Sequence, residues 1–112
     1  MYETAEDIRA LTPDFTAIAK LDRFAVIVTA PGTGDIDFVS RFFAPARGVD
    51  EDPVTGSAHC TLIPYWAERL GERRLEAYQL SRRGGALSCV MWGNRVTIAG
   101  RAALYLEGSI TI

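Results

Sequence analysis

The stretch Gly48–Cys60, GVDEDPVTGSAHC, sets two acids, Glu51 and Asp52, against Pro53 and places Thr55, Gly56 and Ser57 ahead of an apolar run. The start of a helix presents backbone N–H groups without intrahelical partners, together with a partial positive charge. A lead-in of small residues lets an anion approach that backbone closely. Gly56 has no side chain, Thr55 and Ser57 add hydroxyls and Ala58 is small, so a carboxylate is a reasonable guest. Flanking acids are wasteful if anion binding is the whole task. They make sense where a carboxylate must hold an amino or hydroxyl group, or handle a proton, beside the bound acid. Pro53 stiffens the loop so that Asp52 points one way. The same residues also suit a plain loop and helix cap, with acids drawn to the positive helix end.

The remaining reactive side chains suggest less chemistry. His59, the single histidine, falls in the first helical turn, where the dipole disfavours an imidazolium; a packed or solvent-facing ring is expected. Cys60 and Cys89 have no metal-ligand spacing and are too few for a disulfide framework, so both are expected to be buried, reduced thiols. Cys60 should start the buried helix face rather than act as a nucleophile. Arg69, Arg73, Arg74, Arg82 and Arg83 cluster locally, but Glu68, Glu72 and Glu76 interleave with them, as on a solvated face. GTG at 32–34 lacks the rest of a dinucleotide fingerprint and reads as a turn. Trp66, Trp92 and the phenylalanines read as core.

These residues need elements to position them. Thr4 and Asp7 resemble a capping box, and Ala5, Ile8 and Leu11 recur at helical spacing, so 4–11 reads as a short helix. Thr12-Pro13-Asp14 starts a second helix, with Thr12 as cap and Pro13 in the first turn. Residues 23–30, RFAVIVTA, read as a buried strand and 31–35 as a turn. Residues 36–44 read as a second strand, with Ile36, Phe38 and Phe42 on one face. Residues 57–71 read as a helix with Ser57 as N-cap and Gly71 as C-cap, apolar over most of its circumference and therefore buried. Pro64 should bend it or relax one hydrogen bond. The last third has the punctuation of a β-meander: RLEAYQLS, ALSCVMW, RVTIA, RAALYLE and SITI between glycine-bearing turns, with Gly93-Asn94 as a two-residue hairpin. The architecture expected is a single α+β domain over 1–112, with a barrel-like mixed or antiparallel sheet wrapped around a central buried helix at about 57–70.

Composition narrows the function. The chain has 112 residues, 48% hydrophobic and 23% charged, which suits one domain able to bury roughly two-thirds of its unfolded surface. A net charge of −2 gives no basic field for nucleic acid. No apolar run approaches the ~20 residues that span a bilayer, and the acidic, polar N-terminus is unlike a signal peptide, so a cytoplasmic protein is expected.

RFFAPARGVDEDPVTGSAHC resembles the signature of the phenazine-biosynthesis PhzF-like family, R-x-F-x-P-x-x-G-x-x-E-D-P-x-T-G-S-A. Arg41, Phe43, Pro45, Gly48, Glu51, Asp52, Pro53, Thr55, Gly56, Ser57 and Ala58 all match it. LTPDFTAIAKL and the strand-rich tail also resemble the family, so the likeness covers essentially the whole chain. It implies a diaminopimelate-epimerase-like fold, in which two similar α+β domains enclose an active site in the cleft between them. It further implies a cofactor-independent isomerase, using no metal, that moves protons on small carboxylated substrates. On that match Asp52 is the catalytic residue of the second domain, while Thr55, Gly56, Ser57 and Ala58 bind substrate.

Two departures from the family follow. Its members are about twice as long, and the glutamate that serves as general acid/base belongs to a first domain, for which Glu3, Glu6, Glu51, Glu68, Glu72, Glu76 and Glu107 offer no obvious substitute. A QG…GR-like segment is expected after the helix, but here YQLSRRGG keeps Gln79 and puts Leu80 in place of glycine. Relatives that racemise with paired cysteines carry a thiol in the helix-entry loop, which has none here. The expectation is a C-terminal half that acts with an N-terminal half, either supplied by a separate chain or missing from this sequence, and is inactive alone. The alternative is an inactive small-carboxylate-binding or interaction domain that homodimerises through the surface the other half uses.

Overall fold

Thr4 opens the first helix, α1 (Ala5–Ala10), through the expected capping box: Asp7 N–H donates to Thr4 Oγ1 at 3.1 Å, and Thr4 N–H donates to Asp7 Oδ2 at 2.9 Å. In the computed structural model, which describes residues 1–112, Ile8 is the residue this helix buries. The second helix, α2 (Phe15–Ala19), starts later than expected. Its N-cap is Asp14, not Thr12, because the Asp14 carboxylate reaches the Ala17 N–H at 3.0 Å, and Pro13 lies ahead of the helix.

Five strands form one mixed sheet in the order β1 (Val26–Pro31), β2 (Phe38–Phe43), β3 (Arg74–Gln79), β4 (Gly85–Trp92) and β5 (Arg95–Ala99). Only β2 and β3 are parallel. A parallel pair needs a long crossover. The third helix, α3 (Gly56–Leu70), supplies it, ending on Gly71 in the left-handed conformation at φ 71°. Gly93-Asn94 closes the β4–β5 hairpin as expected, with Trp92 paired to Arg95.

Strand β2, inside the sheet between β1 and β3, is buried along its whole length because helices cover both of its faces. Toward α3, Phe38 stacks on Trp66 at 5.6 Å within a cluster that includes Leu62, Ile63, Leu75, Leu87 and Cys89. Trp66 Nε1 donates to Thr29 Oγ1 at 2.9 Å, which ties the helix to β1. Toward α1, Val39 packs with Ile8 and Ala30. Ile36 joins this second cluster rather than the Phe38–Phe42 face, because it precedes the strand and escapes its alternation.

Helix α3 buries Ala58, His59, Leu62, Ile63, Trp66 and Ala67 on one face. Its opposite side is open to solvent: Tyr65 and Leu70 are exposed, and so is Cys60, contrary to the expected buried thiol. The sheet covers one side of the helix, so apolar residues elsewhere on its circumference find no cover within this chain. Both cysteines are free. The strands expected in RAALYLE and SITI do not form. Residues 101–112 carry no regular structure and stand exposed, since strand-like alternation yields a strand only where a neighbouring edge pairs with it. No helix is long and apolar enough to cross a membrane.

Candidate functional site

The loop after β2 is pinned before it enters α3. Arg41 of β2 forks onto Glu51, Nε to Oε1 at 2.7 Å and Nη2 to Oε2 at 2.9 Å. Its Nη1 donates to the carbonyls of Ile8 and Leu11 at 3.0 and 2.9 Å, so one guanidinium joins the end of α1 to this loop. Glu51 is therefore a structural acid, and Asp52 is the one beside it with coordinating capacity left.

Asp52 is half-buried. Its N–H donates to the Phe42 carbonyl at 3.1 Å, and its Oδ2 accepts from the Thr55 hydroxyl. Gln79, fully buried at the end of β3, completes the clamp. Its Oε1 accepts from Thr55 N–H at 2.8 Å, and its Nε2 donates to the Asp52 carbonyl at 2.8 Å and to Thr55 Oγ1 at 3.0 Å. A side-chain amide suits this place because it must donate and accept at once.

Helix α3 begins one residue before the expected N-cap. Thr55 is the cap residue, yet its hydroxyl serves Asp52 and makes no cap hydrogen bond to the helix. The N–H groups of Gly56, Ser57 and Ala58 thus have no acceptor within the chain. Gly56 and Ser57 are exposed, whereas the Ala58 side chain packs under Phe42 and Ala44. Of the residues singled out from sequence, Asp52, Gly56 and Ser57 stand together at the exposed helix start. Thr55, only 7% exposed, is part of the frame that holds them.

His59 lies one turn further in and is fully buried. Its Nδ1 is 2.8 Å from the Thr55 carbonyl. Burial pushes its pKa below the ordinary imidazole value, and the Thr55 hydrogen bond opposes this more weakly. The carbonyl can only accept, so Nδ1 carries the proton and Nε2 is a bare acceptor, buried without a partner. Burial, aided by Glu76, pushes the Cys89 thiol up to about 11, which leaves it inert.

The loop after β3 leans on the same segment. Ser81 Oγ donates to the Pro53 carbonyl at 2.8 Å and accepts from Gly84 N–H at 2.9 Å. Leu80, standing where glycine was expected, donates its N–H to the Ser40 carbonyl at 2.7 Å. Its side chain packs beside Ile8, Ala30 and Val39. Arg82 and Arg83 do not pair with Glu68, Glu72 or Glu76; the chain's ion pairs are Arg41–Glu51 and Arg9–Glu6. No group of three metal-ligating side chains is present.

The family model for phenazine biosynthesis-like proteins, PhzC-PhzF, matches residues 1–108. The chain belongs to the PhzC-PhzF family. It is 59% identical over its full length to a Pseudomonas aeruginosa protein named as an uncharacterized isomerase, covering 42% of that protein. A human phenazine biosynthesis-like domain-containing protein is 51% identical over 80 residues, 70% of this chain and 28% of the relative. A crystal structure of a PhzF-family phenazine biosynthesis protein from Enterococcus faecalis superposes with a TM-score of 0.88 at 50% identity, over 95% of this chain and 40% of that one. The α+β, PhzF-type fold is thereby established. The chain spans about two-fifths of the length of these bacterial relatives.

Arg41 and Gln79 frame the candidate site, and neither role is legible from the residue pattern alone. Arg41 reaches Glu51 ten residues on and Gln79 reaches Thr55 across α3, 24 residues back, separations that periodicity does not reveal.

Proposed function

We propose that this chain is the C-terminal domain of a PhzF-like isomerase that moves a proton on a small carboxylated metabolite without a cofactor. The observation that carries the reading is the set of unpartnered N–H groups at Gly56, Ser57 and Ala58 beside a clamped Asp52. A substrate carboxylate accepts from those amides and from the Ser57 hydroxyl, at the positive end of α3. Asp52, oriented by Thr55 and the Gln79 clamp, accepts a hydrogen bond from the substrate's amino or hydroxyl group and steadies the charge that develops as the proton moves. The general acid/base is a glutamate from a first domain outside this chain, closing over the helix start.

The test is solvent-deuterium exchange into substrate by the chain joined to the N-terminal half of the P. aeruginosa relative. Exchange is expected for the pair and absent for this chain alone, and Asp52→Asn should slow it by about 10²–10⁴-fold. Exchange catalysed by this chain alone overturns the division of labour, and full activity of Asp52→Asn overturns the role of Asp52.

A second reading is an interaction domain that homodimerises. The exposed apolar residues Leu104, Tyr105, Leu106, Ile110 and Ile112 favour it, since soluble monomers rarely leave so many together. Sedimentation as a monomer at micromolar concentration counts against it.

A further inference from the structure

We propose that the loop Ser81–Gly84 is a second oxyanion subsite, so that the favoured ligand carries two acidic groups. This rests on the carboxylate reading of the α3 start and adds the substrate class. A cavity of about 370 Å³ lies between this loop and the Asp52 segment, lined by Glu51, Pro53, Ser81, Arg82 and Arg83. Its charge is decided by the partners. Both Glu51 oxygens are gripped by Arg41, so that acid's charge is matched on the protein side. Arg82 and Arg83 enter no ion pair and donate no hydrogen bond within the chain. Two arginines without ion-pair partners therefore line one cavity, and a guanidinium fork fits the two oxygens of a carboxylate or phosphate.

The loop is built to hold its place. Ser81 bonds to the Pro53 carbonyl, and Gly84 to Ser81. Gly84 has φ +71°, and any Cβ there would collide with the Tyr78 hydroxyl; one at Gly85 would collide with Val54. Gly85 lets the loop sit against Val54 in the Asp52 segment, and Gly84 lets it fold closely over Tyr78 of β3. Chain connectivity bounds the separation: Gly56 follows Pro53 by three residues, so their Cα atoms are at most about 11 Å apart. A short diacid, with arginine side chains reaching toward it, can span from the α3 amides to the cavity.

The experiment is an amide-shift titration of the protein with adipate, with hexanoate (same carbon count, one carboxylate) and with inorganic phosphate. Adipate should bind at least tenfold tighter than hexanoate, shifting Gly56 and Ser57 together with Ser81–Gly84. The variant Arg82→Ala/Arg83→Ala should erase that ratio while leaving hexanoate binding unchanged; both side chains are exposed, so folding is retained. Phosphate should shift Ser81–Gly84 in the parent and not in the variant. Equal binding of the two acids, unaltered in the variant and with Gly56 and Ser57 still shifting, overturns the second subsite and leaves the carboxylate reading standing. Shifts at Ser81–Gly84 with none at Gly56 and Ser57 overturn the carboxylate reading and the two-acid ligand with it. Failure of phosphate to move Ser81–Gly84 overturns the subsite under either result.

Discussion

His59 is a single ring on which the shape of the candidate site turns. Its Nδ1–H holds the Thr55 carbonyl, and Thr55 in turn holds Asp52. Protonating Nε2 would put a full charge where no partner waits, so the folded state resists it. The folded pKa lies below the ordinary value of 6.5, mainly through burial. As pH falls through that value the unfolded chain takes up a proton that the folded chain refuses, so stability declines with falling pH until the folded pKa is reached. Above that window the contribution is present in full. One proton gives a slope of at most about 1.4 kcal/mol per pH unit. Urea unfolding at pH 7.5 and 5.5 should show the decline, and His59→Gln should show a smaller one. The same decline in the variant would assign the effect to other groups.

At the scale of elements, Arg41 is the joint between β2, the end of α1 and the Asp52 loop. A cation beside the terminal carbonyls of α1 is favourable in itself, and the fork onto Glu51 adds direction. The guanidinium also lies over the Phe43 ring at 5.0 Å. Lysine keeps the charge but cannot make the fork and reach both carbonyls. Arg41→Lys should lower unfolding stability by about 1–3 kcal/mol, the cost of leaving buried acceptors unpaired. It should also speed amide exchange at Asp52 and Thr55 ahead of the β4–β5 hairpin. A loss below about 0.5 kcal/mol would mean that the joint is redundant. Local devices were legible in the sequence: the Thr4–Asp7 box, the Gly71 cap and the Gly93-Asn94 turn all have partners within four residues. Arg41–Glu51 and Gln79–Thr55 span 10 and 24 residues, and only the β2–α3–β3 return brings them together. The acids and small residues of the site could therefore be read in advance, while the clamp that orients them could not.

Over the whole molecule, the sheet and helices account for the buried core, and residues 101–112 supply none of it. The tail reads as strands because apolar residues recur along it, but alternation specifies a face, not a partner. β4 already pairs with β3 and β5, and the tail runs on past Gly100 without joining an edge. Its Leu104, Tyr105 and Leu106 are at least 80% exposed, so they stabilise nothing within this chain. Removing residues 101–112 should change the unfolding free energy by less than about 0.5 kcal/mol, the range of surface changes away from packed features. Leu75→Ala, at the centre of the main core, should by contrast cost about 2–5 kcal/mol. The exposed tail also presents apolar surface to other molecules, so truncation should reduce concentration-dependent association in sedimentation while leaving the near-ultraviolet signal of Trp66 unchanged. A truncation that destabilises the domain by more than about 2 kcal/mol would show that the tail packs on this chain in solution. Association that survives truncation would move the sticky surface to the open side of α3, where Cys60, Tyr65 and Leu70 lie exposed.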